Sequence, residues 1–469
     1  MKTIARIGVL SFSDGRRRVH EGLAPVIARH ERALAEALRR LGAEAIEGGE
    51  AAWSPRRAVA AARRLAAADP AAVVFNLPVF AFPSFAVLAA DILRRPLALW
   101  SPGEPGLPGM GGLLAAGGAL EQAGHDHERI WGPLRSAGVR ARLDAFARAA
   151  GARHALRGQV YGQIGGRSIG MITGVGSSVA DWHRTFGVDI DHADQSEILR
   201  RAEAVPARER ERVAAWLERH AGAVAYAPGS KLTRESLRRQ AAWAVAVKRI
   251  VEEREFDFVG IQCHYDLSEY YGTQCLSAAF LPSRLDWDGP REPVACACEA
   301  DGDGALTMQI LQLLSGQPAL FMDLRHYEAA RRLWTLCNCG GMSLHYARRA
   351  RDPAANVKAA SLVPVIPKYG GVGAHVRYVA APGPLTCARL MRDRRGWRLL
   401  AFRARAVAAK ASWPRASCPS WPHLYARIDA EPRELLDALH ANHVHAVAGN
   451  SLPALAAFAR LTGVPFEQL

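Results

Sequence analysis

Residues 293–323 read PVACACEADGDGALTMQILQLLSGQPALFMD, and the fold turns on how this stretch divides. Pro293–Cys298 is a short apolar run closed by polar residues, which predicts a strand. Asp301-Gly302-Asp303-Gly304 resembles a helix N-cap region, and Gly304–Leu314 then predicts a helix. Ala319–Asp323 predicts a second strand. Strand, helix and strand in succession are the unit of a parallel α/β sheet. Glu299 and Asp323 each fall at the C-terminal end of a predicted strand. That is the edge where open α/β sheets bind ligands. Adjacent parallel strands would bring the two carboxylates together there, and they repel unless a proton or a cation intervenes. A hard divalent ion suits such oxygen ligands. The same acids serve equally well as helix caps or as partners of Arg291 and Arg325. The EF-hand calcium pattern is absent.

Upstream, the chain alternates strands and helices. Ile4–Phe12, Pro70–Phe75, Ala98–Trp100 and Arg129–Trp131 predict strands, with Ala24–Leu41, Pro55–Ala67 and Leu113–Ala123 as helices. A second alternating unit starts near His154. It has strands at Gly158–Tyr161, Val188–Asp191 and Phe256–Gln262, and helices at Ser177–Phe186, Pro206–His220 and Leu232–Glu253. From Cys337 to Arg405, short strands and Gly/Pro turns predominate. A helix (Pro432–Ala441), a strand (Val444–Ala448) and a closing helix (Leu452–Leu461) follow. The expected fold is α/β, with two doubly wound parallel-sheet domains over 1–155 and 156–318. A β-rich domain over 319–469 follows, so Glu299 belongs to the central domain and Asp323 and His443 to the last.

A chain of 469 residues, 49% of them hydrophobic, is long enough for two or three buried cores. The most apolar stretch, Ala71–Leu93, is broken by Asn76, Pro78 and Pro83, so no membrane span is expected. Met1–Leu10 lacks the pattern of a signal peptide, and a cytoplasmic location is expected. The formal charge of +15 raises nucleic acid as a partner, but only six of the 60 basic residues are lysine, and the arginines are spread along predicted helices. No nucleic-acid-binding motif accompanies them, so no nucleic-acid partner is expected, whereas a small anionic substrate fits. The cysteine pairs 296/298 and 337/339 are each separated by one residue, which favours core thiols over a zinc ribbon.

Three further clusters could carry chemistry. Asn442-His443-Val444-His445 enters a strand, where alternate residues face opposite ways, so only one histidine is expected to act as a ligand. Ser420-Trp421-Pro422-His423 suits the apolar face and hydroxyls of a sugar, or ordinary packing. Ser13-Asp14-Gly15-Arg16-Arg17 follows the first strand at a corner that can bind anions or hydroxyls. The glycines at 162–166 and 170–176 lack dinucleotide or P-loop spacing, and no G-x-S-x-G elbow is present.

These clusters, in this order, resemble the L-fucose isomerase / L-arabinose isomerase family, and its L-fucose isomerase branch most closely. The resemblance rests on Asp14–Glu21, Ala98–Trp100, Gly166–Met171, Asp189–Glu197, Leu285–Tyr327, Asn338–Gly340 and Asn442-His443. It implies two α/β domains and a C-terminal domain containing a β-barrel. It implies an aldose–ketose isomerase that acts on a free sugar through an enediolate. Glu299, Asp323 and His443 would hold Mn2+, with Mg2+ or Co2+ as alternatives, and Glu299 and Asp323 would be the catalytic carboxylates. Arg16, Gln262, Trp421, His423 and Asn442 are the residues expected to meet the sugar. The family further implies a homo-oligomer, commonly a hexamer, with sites completed between subunits and the Asp14-Gly15-Arg16 loop reaching a neighbour's site. The chain is shorter than typical L-fucose isomerases after Cys339 and at its end, which leaves the sugar open. The alternatives are the same chemistry on an anionic sugar, such as sulfoquinovose or a sugar phosphate, and a non-catalytic sugar-binding protein on the same fold.

Overall fold

The computed structural model describes residues 5–172, 178–410 and 412–469. Ile4, Ser177 and glycines 174 and 176, which figure in the sequence reading, lie outside the described residues. The chain forms two compact units, Lys2–Ala155 with Pro453–Thr462, and Leu156–Leu452 with Gly463–Leu469.

The smaller unit is a five-stranded, all-parallel sheet. Its strands are β1 (Arg6–Ser11), β2 (Glu44–Glu47), β3 (Ala72–Asn76), β4 (Leu97–Ser101) and β5 (His127–Trp131), in the order β2-β1-β3-β4-β5. Alternate residues point to opposite faces, and two cores result. Val73 and Phe75 join one, while Ala72 and Val74 join the other. Apolar side chains on both faces require helices on both faces, which is the doubly wound arrangement expected.

The larger unit holds a second parallel sheet. Its strands are β6 (Val160–Ile164), β7 (Asp189–Ala193), β8 (Phe258–Ile261) and β9 (Ala295–Cys298), in the order β9-β8-β6-β7. After β9 comes helix Gly302–Ser315, capped by the Asp301 side chain, which accepts from the Gly304 N–H.

The same unit contains a closed barrel. Its strands are β10 (Leu320–Glu328), β11 (Leu333–Cys337), β12 (Gly383–Asp393), β13 (Gly396–Ala406), β14 (His423–Ile428) and β15 (His443–Ala448). Antiparallel pairing runs β12-β15-β10-β11-β14-β13, and β13 returns to β12. β16 (Phe466–Gln468) adds to β13 in parallel. Met322, Leu336, Leu424 and Val444 share one buried core, which fills the barrel. Helix Gly302–Ser315 packs outside, against β12 and β15.

Two sequence expectations change here. Glu299 and Asp323 do not follow adjacent parallel strands: β9 edges the parallel sheet, whereas β10 enters the barrel with antiparallel partners on both sides. The strand-helix-strand pattern is real, but Gly316 ends the helix in a left-handed turn (φ 68°), and the barrel interior takes Leu320 and Met322. Between Cys337 and Arg405 the strands are not all short. β12 and β13 are 11 residues each, joined at Arg394-Arg395.

Candidate metal centre

Register builds the first part of the site. Asp323 pairs with His443 on one side and with Cys337 on the other, and Cys337 pairs with His423. Directly opposed residues share a face, so His443, Asp323, Cys337 and His423 form one row across four strands on the outside of the barrel. Glu299 comes to the same place from the parallel sheet. It follows β9 with φ 60°, and Ala300 follows with φ 52°. Two successive non-glycine residues in the left-handed region are costly, on the order of 1–2 kcal/mol each. They turn the Glu299 carboxylate out of the strand direction.

His443 is the hub. Its Nε2 lies 3.5 Å from Glu299 Oε2 and 3.6 Å from Asp323 Oδ1. That nitrogen is buried and has no hydrogen-bond partner among the described residues. Its other nitrogen, Nδ1, stands 2.8 Å from Asp301 Oδ2. With Nδ1–H donating to Asp301, Nε2 faces the two carboxylates, and once deprotonated it turns a lone pair towards the space between them. A histidine ligated to a metal is commonly oriented by a carboxylate in this way.

The electrostatics agree. Burial alone would lower the His443 imidazole, but the hydrogen bond to Asp301 and the nearby Glu299 and Asp323 carboxylates push it up to about 10. Burial raises the Asp323 carboxyl, as does the Glu299 charge, while His443 acts against both. Burial would also raise Asp301, yet Arg389 and His443 hold it far below the usual carboxylate range. Arg389 reaches Asp301 with two contacts of 2.5 and 3.0 Å, and both side chains are fully buried. This cluster sets two carboxylates against one buried nitrogen, an arrangement that a proton or a divalent cation would neutralise. Ligand atoms about 2.1 Å from an ion and at right angles stand about 3 Å apart, and the spacings of 3.5 and 3.6 Å from His443 are somewhat wider than that.

The opposite side of Glu299 meets a different set. Its Oε1 is 3.8 Å from His264 Nε2 and 3.9 Å from Cys339 Sγ, and these three groups converge within 4.8 Å. Both nitrogens of His264 are already engaged, Nε2 with the Tyr369 hydroxyl at 3.0 Å and Nδ1 with Ser268 at 2.9 Å. The hydrogen bond with Cys298 and burial push the Cys339 thiol well up. The His443 side offers two carboxylates and an imidazole, a harder donor set than this one with its thiol. All eight cysteines are free thiols.

The other expected site residues sort as follows. Asn442 donates from Nδ2 to Asp323 Oδ1 at 3.0 Å, so it orients that carboxylate. His423 opens β14 and Trp421 precedes it by two residues, and the indole Nε1 and imidazole Nε2 are buried without hydrogen-bond partners among the described residues. His423 Nδ1 is 2.9 Å from the Trp421 carbonyl oxygen. Burial holds this imidazole below its ordinary value. Gln262 directly follows β8, and its side-chain oxygen accepts from the Gly166 N–H at 2.5 Å. Arg16 belongs to the smaller unit, where its guanidinium donates to both oxygens of Asp14 at 2.9 and 2.7 Å. His445, directed away from the ligand role in the sequence reading, sits 3.0 Å from Arg389.

Sequence reasoning missed Asp301 and Arg389 as parts of the site. Asp301 was seen as a helix cap, which it is, but one carboxylate performs three tasks: it caps the helix, pairs with Arg389 and orients His443. Nothing local in the sequence marks Arg389 among so many arginines.

Two stretches of the chain match a known family. Residues 4–158 match the first N-terminal domain of L-fucose isomerase, and residues 336–469 match its C-terminal domain. A sulfoquinovose isomerase from Alkalicoccus urumqiensis is 24% identical over 346 residues, covering 72% of this chain and 73% of the relative. An L-fucose isomerase from Klebsiella pneumoniae subsp. pneumoniae is 26% identical over 268 residues, 50% of this chain and 44% of the relative. One from Escherichia coli O139:H28 is 26% identical over 313 residues, 56% and 52% respectively. The chain thus spans about half the length of the L-fucose isomerases it matches.

Proposed function

The chain belongs to the L-fucose isomerase family, and on that premise we propose that it is a metal-dependent aldose–ketose isomerase, with Glu299, Asp323 and His443 holding the cation. The observation that carries the reading is the buried, unpartnered His443 Nε2 flanked by two carboxylates at 3.5 and 3.6 Å. Manganese is the expected ion, with magnesium or cobalt as alternatives.

When bound, the cation supplies Lewis-acid polarisation of the sugar carbonyl and charge stabilisation for the enediolate. The protein's own groups move the protons. One of the carboxylates Glu299 and Asp323 takes the proton from C2 and returns it to C1, and the other carries a proton between O2 and O1. The hydrogen bond from Asn442 fixes Asp323 for its share. His423 and Trp421 hold sugar hydroxyls, with Gln262 close behind Glu299 on the neighbouring strand.

The test is direct. Manganese-loaded protein is given L-fucose or sulfoquinovose, and ketose formation is followed. Glu299→Gln should abolish turnover with the fold retained, and full activity in that variant would refute the assignment.

A second reading keeps the chemistry and changes the substrate to an anionic sugar. The relative named sulfoquinovose isomerase favours it, because its match covers 72% of the chain against 50% for the Klebsiella L-fucose isomerase. A non-catalytic sugar-binding role would leave the converging carboxylates without a task. The reading also includes a homo-oligomer, hexameric by family analogy, in which the Arg16 loop completes a neighbour's site. It includes the three-part division 1–155, 156–318 and 319–469. Among the described residues no helix is long and apolar enough to cross a membrane.

A further inference from the structure

The row of site residues continues along the barrel wall. Two residues beyond Cys337 and His423 on their strands stand Thr335 and Tyr425, directly paired and therefore on the same outer face. They line a cleft of about 370 Å³ together with Arg325. Two strand residues span about 7 Å, so the cleft opens one step along the wall from the Asp323 row.

Arg325 reaches it through a local irregularity. The β10–β11 register shifts between Leu324 and His326, which makes Arg325 the extra residue of a bulge. Bulges re-aim side chains and recur beside active sites. The guanidinium stacks on Trp421, 5.3 Å from the ring centre, and makes no hydrogen bond or ion pair with any described residue. The cleft's other arginine, Arg331, is committed to Glu328 at 3.0 Å. The Tyr425 hydroxyl, on a residue only 3% exposed, has no hydrogen-bond partner among the described residues. A free cation and an idle buried hydroxyl thus line a cleft whose one carboxylate is already paired.

We infer that this cleft is a subsite for a tetrahedral anion, a sulfonate or phosphate, carried on the terminal carbon of the sugar and held by Arg325 and the Tyr425 hydroxyl. An open-chain hexose with O1 and O2 beside Glu299 and Asp323 reaches the cleft with its sixth carbon. The orientation of the sugar rests on the isomerase reading, whereas the anion site rests on the cleft. Arg325 stacked on an aromatic face suits such a group, because guanidinium offers paired donors and tolerates partial desolvation.

Calorimetry on manganese-loaded protein with sulfoquinovose, glucose 6-phosphate and the neutral 6-deoxyglucose tests the inference, with ketose formation followed in parallel. At least one anionic sugar should bind about 10-fold or more tighter than the neutral one, the scale of one charge-assisted hydrogen bond. Arg325→Gln should erase that preference, Arg325→Lys should keep part of it, and Tyr425→Phe should reduce it. The two anionic arms identify whether sulfonate or phosphate is the better ligand. Equal binding of charged and neutral sugars, or a preference that survives Arg325→Gln, overturns the inference. An Arg325-dependent preference without turnover of any sugar sustains the subsite while the isomerase reading falls. Turnover of neutral and charged sugars with equal efficiency does the reverse.

Discussion

Asp323 and His443 stand directly opposite each other on neighbouring antiparallel strands, and the Oδ1–Nε2 distance is 3.6 Å. Register therefore fixes two of the three proposed ligands relative to each other, and Glu299 joins from a different sheet. Removing either member of the opposed pair should remove the ion without unfolding the barrel, because both lie on its outer wall. We expect His443→Gln and Asp323→Asn to lose manganese on dialysis, measured by elemental analysis, with circular dichroism unchanged. Asn442→Ala acts one bond further out. It should weaken affinity by about 10- to 100-fold, the usual effect of an outer-shell partner. Stoichiometric manganese in either ligand variant would be inconsistent with the site.

Asp301 ties the centre to the fold. In Asp301→Asn the buried Arg389 loses its charge partner, and breaking a buried pair costs roughly 3–5 kcal/mol. His443 also loses the carboxylate that fixes its tautomer, because the one remaining oxygen must be shared with Gly304 N–H and Arg389. The variant should therefore show a lowered melting temperature and weakened metal affinity together. The double variant Asp301→Asn with Arg389→Met should recover part of the stability, because no unpaired charge remains, but not the metal affinity. Recovery of both would mean that Asp301 does not orient His443.

Proton and cation compete for the same His443 nitrogen. In the metal-free protein this imidazole is raised to about 10 from its ordinary 6.5, so it is protonated at neutral pH. Binding a cation must release that proton. Apparent affinity should consequently rise about tenfold per pH unit between pH 6 and 8, the slope for one proton. Calorimetry in buffers of different ionisation enthalpy should count about one proton released. The sign for metal-free stability is the opposite. The folded value lies above the unfolded one, so the group's contribution is complete below pH 6.5 and is lost as pH rises towards 10. A pH-independent affinity would contradict protonation of His443 in the free site.

Much of this was legible in the residues. The alternating strands of the first third and Glu299 just after a strand follow from period and position, whereas Asp323, expected at a strand end, lies inside a strand that runs on to Glu328, and the choice of His443 over His445 came from the family resemblance. The partner sheet of Asp323 was not legible. A strand after a crossover helix reads as parallel, and only the side chains that fill the barrel, such as Leu320 and Met322, show which neighbours it takes. Asp301 looked like a cap because caps are local. Its bond to Arg389 spans 88 residues, and separation of that kind leaves no periodic trace. Cys337 is a comparable case. As half of a C-x-C pair it invites thoughts of zinc, yet pairing with both Asp323 and His423 makes it the floor of the row.

His423 offers the cleanest separation of sugar binding from metal binding. It lies two strands from Asp323 along the row, fully buried, with Nδ1 beside the Trp421 carbonyl and Nε2 unpartnered. The carbonyl can only accept, so Nδ1 carries the proton and Nε2 presents a lone pair. Burial keeps the ring neutral by lowering its value further below neutrality. Such a nitrogen accepts from a hydroxyl and repels nothing, which suits a sugar. His423→Ala should raise KM by about 10-fold or more, the effect of one lost hydrogen bond and the unpaired hydroxyl it leaves. Manganese content should stay at the wild-type level, since His443 keeps Glu299, Asp323 and Asp301. Any step that His423 imposes on the wild-type KM should fall below pH 6.5, because burial lowers this imidazole from its ordinary value. A loss of metal in His423→Ala would place this histidine among the ligands, and an unchanged KM would take it out of the sugar site.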